Sequence, residues 1–329
     1  MISRRQIMST ALAGLATGIT GCAGRGLGDA LVMADNQPEG YPTVAGLRYL
    51  ADKLAQLTGG ELRSKIFPGG QLGAENDTLE ITLLGGIDIN RVNIVPLNSF
   101  APATLIPTLP FVFDSIAHMR RSMDGVPGRD ILAALKPHGL IGLCFYDSGA
   151  RSFYSTERAI RSPSDMRGLK IRVQNSDLYI DLVKALGGDA VAMPYAEVYQ
   201  GMMQGVVDGA ENNWPSYVSS NHFEVAPFYS LTSHVMAPEV VVMARHTWER
   251  LSADHQEAVL GAASESVGIM RREWDARVSE SKRLAESAGI EVIEPDQSEF
   301  RDAVKNIWRK ILLRNPTLQP ILDDIQSLR

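Results

Sequence analysis

Leu169-Lys170-Ile171-Arg172-Val173-Gln174, followed two residues later by the run from Asp177 to Leu186, is the stretch from which the fold can be read. Apolar and polar residues alternate through its first part, the two-residue period of a strand. The second part carries Leu178, Leu182, Val183 and Leu186 at helical spacing. Working outward, Leu140 to Tyr146 reads as a buried strand and Leu31 to Met33 as a short one. Tyr41, Val44, Leu47, Leu50, Leu54 and Leu57 mark an amphipathic helix stopped by Gly59 and Gly60. Leu62 and Ile66 alternate with polar neighbours, Glu75 to Leu84 is helical, Ile87 to Val95 is a strand, and Ile116 to Leu135 is a helical segment. Strands alternating with helices predict an α/β fold with parallel sheets covered by helices.

Beyond Thr247 the character changes. Leu251 to Ser287 is one long polar-faced helical stretch, broken near Gly289 and followed by a strand at Ile290 to Ile293 and two more helices. The chain's 329 residues exceed one ordinary domain of roughly 100–200. No low-complexity linker or repeat divides them, so two lobes sharing crossing segments are expected rather than two independent beads. The expected division is residues 31–148 as the first part of lobe I, 149–232 as lobe II, and 233–329 as the return to lobe I with a spanning helix and the C-terminal helices.

Composition narrows the function. Hydrophobic residues at 45% and charged residues at 21% lie far from a disordered profile. Lys+Arg 32 against Asp+Glu 38 gives a net charge of -6, with no basic run to displace counterions from a nucleic-acid backbone, so nucleic acid is not an expected partner. The two cysteines, Cys22 and Cys144, have no companions at metal-ligand spacing, which excludes a zinc site or a disulfide scaffold.

The N-terminus carries Arg4 and Arg5, then an uncharged apolar run from Ile7 to Ile19, too short and too rich in Gly and Ala for a membrane span. Residues 1–21 therefore read as an export signal. Ile19-Thr20-Gly21-Cys22 resembles a bacterial lipoprotein processing site, with Cys22 as the lipidated residue and 22–30, including Gly24, Gly26 and Gly28, as the tether. Ser3-Arg4-Arg5 also resembles a twin-arginine start. An acidic envelope protein is the expected product.

No G-x-S-x-G elbow, H-E-x-x-H or P-loop occurs, so no enzyme class is signalled and no cofactor is expected. Scattered histidines, among them His222, His234 and His246, read as surface or satisfied core residues. Arg172 stands among alternating apolar residues on an inner strand and needs an anion, either a neighbouring carboxylate or a ligand. Arg151 follows Tyr146-Asp147-Ser148-Gly149, a loop of the kind that holds ligands at the carboxyl end of a parallel sheet. A guanidinium binds a carboxylate through paired parallel hydrogen bonds, so two such arginines favour an acidic solute. Asn212 and Asn213, which offer donors and acceptors together, suit hydroxyl recognition. Trp214 suits either a sugar face or a core role.

Phe67-Pro68-Gly69-Gly70-Gln71-Leu72-Gly73, Pro107 to Phe113, Met166 to Val173, Met193-Pro194-Tyr195-Ala196-Glu197-Val198-Tyr199 and Gly205 to Asn212 together resemble the substrate-binding subunits of tripartite ATP-independent periplasmic (TRAP) transporters, dicarboxylate-type family. The resemblance covers essentially everything after the leader. It implies a two-lobed periplasmic solute-binding fold, with crossing strands and a long helix shared by both lobes, closing on an organic acid. It also implies delivery to membrane subunits of the transporter. By the same resemblance Arg172 is the selectivity arginine, Arg151 a second contact to the anion, and Asn212 the residue that orients them. Asn36, Glu75, Asn93 and Tyr195 fall on cleft-lining positions, with Asp147, Asn213 and Trp214 as neighbours. Tyr146 to Tyr154 and Asn212 to Tyr217 look most like members that bind hexuronates such as glucuronate and galacturonate. The competing readings are the same transporter class with another organic or sugar acid, an enzyme acting on uronates with Glu75 or Asp147 as base, and a ligand-presenting partner of a sensor kinase.

Overall fold

The structure, a computed structural model, describes residues 30–329. The export signal, Cys22 and most of the tether lie outside the described residues.

Two sheets organise the chain. In chain order the strands are β1 (Leu31–Asp35), β2 (Ser64–Phe67), β3 (Ile89–Asn93), β4 (Leu140–Tyr146), β5 (Arg151–Ser155), β6 (Lys170–Val173), β7 (Asp189–Ala192), β8 (Gly209–Asn212), β9 (Phe228–Val235), β10 (Glu239–Ala244) and β11 (Glu291–Ile293). Lobe I holds the sheet β2-β1-β3-β10-β4, and lobe II holds β11-β9-β5-β8-β6-β7. The helices Pro42–Leu57, Glu75–Leu83, Asp177–Ala185 and Ala253–Ser287 lie where helical spacing predicts them. The run from Ile116 to Leu135 is two helices, Ile116–Asp124 and Val126–Ala133, which meet at Gly125. A Cβ on Gly125 would stand 2.8 Å from the Arg121 carbonyl.

The sheets are mixed rather than parallel. β10 runs antiparallel to β3 and β4, and β5 runs antiparallel to β8 and β9. The cause is the length of the crossings. Only residues 147–150 separate β4 from β5, and only 236–238 separate β9 from β10, whereas a right-handed crossover between parallel strands takes a dozen or more residues. A strand that leaves one lobe on the cleft side enters the other from the cleft side, against its neighbours. Gly149 turns the first crossing at φ +62, a conformation that L side chains rarely adopt, and a Cβ there would meet the Trp274 indole at 3.1 Å.

The lobe boundaries shift accordingly. β9 stays in lobe II through Val235, so the return begins at 236 rather than 233. The C-terminal part is shared between the lobes rather than returned to lobe I. β11 pairs with β9, the helices Gln297–Val304 and Asn306–Arg314 pack on Asp177–Ala185, and Gln319–Ser327 packs on Val126–Ala133. The Ala253–Ser287 helix is about 50 Å long at 1.5 Å per residue. Ser252 caps it by accepting from the His255 N–H at 3.2 Å. Val259, Ala262, Met270 and Trp274 join the lobe I core while Ala285 joins the lobe II core, so one polar-faced helix ties both lobes together. A larger core runs through the hinge, from Val92, Phe145 and Val240 to Phe153, Ile171 and Val235.

Candidate functional site

The register of each sheet brings polar residues to its cleft edge. In lobe I, Asp35 pairs with Arg91, and Glu239 faces both Asn93 and Tyr146, so the carboxyl ends of β1, β3 and β4 meet the start of β10. In lobe II, Ser152 pairs with Asn212 and Arg172 with Ala210. Ligands of open α/β sheets bind outside such carboxyl ends. Here the two edges enclose one narrow cavity of about 20 Å³. Lobe I contributes Asn36, Gln37, Glu75, Arg91, Asn93 and Glu239 to it, and lobe II contributes Arg151, Gln174, Tyr195, Asn212 and Ser216. Tyr41 of lobe I and Ser216 of lobe II share a hydrogen bond of 2.9 Å across it.

Arg91 is the hub of the lobe I wall. Its Nη2 donates to Asp35 and, at 2.5 Å, to Asn36 Oδ1; its Nη1 donates to Glu239 Oε2 at 2.7 Å and stands 3.6 Å from Glu75 Oε1. Asp35 also accepts from the Gln37 N–H at 2.7 Å and the Thr43 hydroxyl at 2.8 Å. Gly69 and Gly70 donate their N–H groups to the Gln37 and Asp35 carbonyls, which fixes the loop that carries Asn36. Glu75 accepts from the Asn93 N–H at 2.8 Å, and the Asn93 amide donates to Glu239 at 3.1 Å. Burial pushes the Glu75 carboxyl up to about 7, with Arg91 opposing and Glu239 adding to the rise.

Lobe II treats its two arginines differently. Arg151 grips Glu211 with Nε at 2.5 Å and Nη2 at 2.9 Å, and Nη2 also reaches the Glu211 carbonyl at 2.9 Å. Burial works to raise the Glu211 carboxyl, but the charge and hydrogen bonds of Arg151 together with those of His234 outweigh it and hold the group at about 2. Arg172 is only 3% exposed, and its Nε donates to the Met193 carbonyl at 2.9 Å. No carboxylate of the described residues pairs with it. Burial therefore lowers its pKa, whereas Arg91 and Arg151, whose carboxylate partners outweigh the same burial, are raised.

Asn36, Glu75, Asn93, Arg151, Tyr195 and Asn212 are thus brought to one cavity. Arg172 is not among the lining residues; it lies on β6, two residues before Gln174, which is, and within the field of Arg151, Glu211 and Tyr195. The side chain of Asn212 bonds to neither arginine, because its Oδ1 accepts from the Asn213 N–H at 2.9 Å. Tyr195 bonds to the Ser216 carbonyl at 3.1 Å and to Ser220.

Three expected neighbours are employed elsewhere. Asp147 is buried between Arg120, at 2.6 Å, and Arg271, at 3.1 Å, and its charge ties the first crossing to the helices Ile116–Asp124 and Ala253–Ser287. Asn213 caps the Trp214–Ser219 helix by accepting from the Ser216 N–H at 2.8 Å. Trp214 stacks on Tyr229 with centroids 3.9 Å apart. Both border a separate cavity of about 390 Å³ beside Trp274.

Residue patterning overlooked Arg91, Glu239, Gln37, Gln174 and Ser216. Two of them left a trace: Arg91 interrupts the inner strand Ile89-Asn90-Arg91-Val92-Asn93, and Glu239 opens the apolar run Val240 to Ala244. The buried Oε1 atoms of Gln37 and Gln174, both at the cavity, have no donor among the described residues. His222 and His234 are buried with Nδ1 bonded to Tyr154 and Thr232, and burial, reinforced by Arg172, keeps His222 neutral at about 3. Cys144 is buried and its thiol is pushed up to about 12, which leaves it unreactive. Among the described residues no cluster of His, Cys, Asp or Glu suits a metal ion, and no helix is long and apolar enough to cross a membrane.

Residues 33–315 match the family of bacterial extracellular solute-binding proteins, family 7. The chain belongs to that family. A solute-binding protein of Chromohalobacter salexigens is 39% identical over 291 residues, covering 88% of this chain and 87% of the relative. A TRAP periplasmic solute-binding protein from Xanthobacter autotrophicus, solved with bound β-D-galacturonate, is 44% identical with a TM-score of 0.89, covering 91% of this chain and 100% of that one. One from Roseobacter denitrificans, solved with β-D-glucuronate, is 40% identical with a TM-score of 0.89, covering 91% and 99%. The family is one of solute-binding subunits rather than enzymes, and its members serve membrane transporters. The two-lobed architecture of this family member agrees with those structures.

Proposed function

We propose that this TRAP solute-binding protein captures a hexuronate, glucuronate or galacturonate, in the periplasm and hands it to the membrane subunits of its transporter for secondary-transport uptake. The observation that carries the reading is Arg172, a buried guanidinium with one carbonyl partner and no carboxylate among the described residues. Leaving such a charge unpaired is costly, and a ligand carboxylate supplies the missing partner. Arg151, already neutralised by Glu211, and Asn212 stand beside it as further donors. Across the cavity Glu75, Asn93 and Asn36 offer the hydroxyl contacts, Tyr195 adds one from the lobe II wall, and the unpartnered oxygens of Gln37 and Gln174 call for donors such as a sugar carries. The bound uronates of the similar solved structures point the same way. Calorimetry on the mature protein tests this. Glucuronate or galacturonate is expected to bind, and glucose or galactose, which leave Arg172 unpaired, far more weakly. Equal affinity for a uronate and its neutral parent sugar overturns the reading.

The leader and Cys22 add an anchor to this reading, with lipid on Cys22 holding the mature chain at the membrane surface. Mass spectrometry of the native N-terminus is expected to find a lipidated Cys22. A mature chain that begins downstream of Cys22 removes the anchor.

A further inference from the structure

The two walls of the cavity carry opposite charge. On the lobe I side the three carboxylates of Asp35, Glu75 and Glu239 share a single guanidinium, Arg91. On the lobe II side Glu211 neutralises Arg151, and Arg172 has the Met193 carbonyl and no carboxylate among the described residues. We propose that Glu75 and Glu239 act as an anion filter that makes the site selective for sugar acids charged at one end only, accepting hydroxyl hydrogen bonds at the far end and excluding diacids. This inference rests on the hexuronate reading above.

The geometry supports it in three steps. Arg91 is spent: Asp35, Asn36 and Glu239 hold its Nη atoms, which leaves no fork for a second ligand carboxylate. The acceptors that remain at this end, on Glu75 and Glu239, are complementary to hydroxyl donors. A carboxylate placed there would meet the like charges of two largely buried carboxylates, where the repulsion is weakly screened.

The filter is also sensitive to pH. Glu75 is faced by Arg91 from β3, Glu239 from β10 and Asp35 from β1, while Arg151 and Tyr195 complete the opposite wall. Burial brings the Glu75 carboxyl up to about 7, so it is mostly ionised at about pH 8 and mostly protonated at about pH 5.5, where ligand carboxylates keep their charge. Its protonation replaces one repelling charge with a hydrogen-bond donor.

The test is calorimetric titration with glucuronate and galacturonate against glucarate and galactarate, which carry a carboxylate at both ends. At about pH 8 the diacids are expected to bind at least ~100-fold more weakly than the uronates. That gap is expected to narrow at least ~tenfold at about pH 5.5, and equally at about pH 8 in Glu75→Gln, which keeps the acceptor for the Asn93 N–H and loses the charge. Diacids binding as tightly as uronates in the parent chain at about pH 8 overturn the filter alone. So does a gap that neither pH nor Glu75→Gln changes. The parent chain at two pH values suffices for this, whatever the variant's stability. Failure of every uronate to bind overturns the hexuronate reading and the filter together.

Discussion

Arg91 in lobe I and Arg172 in lobe II are both buried guanidiniums on inner strands, 1% and 3% exposed, yet carboxylates neutralise one and none neutralises the other among the described residues. Asp35, Glu239, Glu75 and Asn36 surround Arg91, and the charges of its three carboxylates raise its pKa against the cost of burial. Among the described residues Arg172 hydrogen-bonds to the Met193 carbonyl alone, so burial prevails and its pKa falls. Burial therefore does not distinguish a structural arginine from a binding one; the count of partners does. Arg151 lies between them, neutralised by Glu211 and still on the cavity surface.

This contrast breaks most visibly at Arg91. Arg91→Met is expected to strip three carboxylates of their counter-charge and cost the ligand-free protein about 3–5 kcal/mol in urea denaturation. A loss below about 1 kcal/mol would show that the lobe I cluster is not held by that guanidinium.

Arg172 supplies the opposite arm. Arg172→Lys keeps the charge and loses the planar fork, so uronate binding is expected to weaken by about 1–3 kcal/mol while the ligand-free melting temperature scarcely moves. A large loss of ligand-free stability with unchanged affinity would place Arg172 with Arg91 among the structural arginines.

Glu75 sharpens the comparison through pH. Its folded pKa of about 7 lies above the ordinary carboxyl value of 4.5, so the folded protein holds this proton more tightly than the unfolded chain does. The resulting penalty is absent below the unfolded value, grows between about 4.5 and about 7, and is complete above it. Glu75→Gln is expected to raise ligand-free stability at about pH 8 by on the order of 1–2 kcal/mol and to leave it nearly unchanged at about pH 4. A gain of equal size at both pH values would dissociate the effect from ionisation.

The smallest effect is expected at the second asparagine of the Asn212-Asn213 pair. Asn213→Ala removes the cap of the Trp214–Ser219 helix and is expected to cost about 1 kcal/mol of thermal stability. Uronate affinity falling by tenfold or more in this variant would return Asn213 to the binding site.

Much of the architecture was legible because periodicity is local. The alternation in Leu169 to Gln174, the spacing from Tyr41 to Leu57 and the unbroken run to Ser287 each fix an element from neighbours a few residues away. The direction of the strands was not legible. Whether β5 and β10 run with or against their neighbours depends on crossings of three or four residues, and an apolar strand reads alike in a parallel and an antiparallel pair.

In the site, the sequence by itself determined which residues carry charge or amides near strand ends, including Arg172, Arg151, Glu75 and Asn212. Only the tertiary structure decided which of those groups are already satisfied. Asp147 looked as available as Glu75 until Arg120 and Arg271, one of them 124 residues along the chain, were found to hold it. Arg91 became the hub of lobe I because Glu239, 148 residues away, enters the neighbouring strand from the opposite direction. A charge's free energy in a protein interior depends on the few polar groups within a few ångströms of it, and those are chosen by the packing of distant segments.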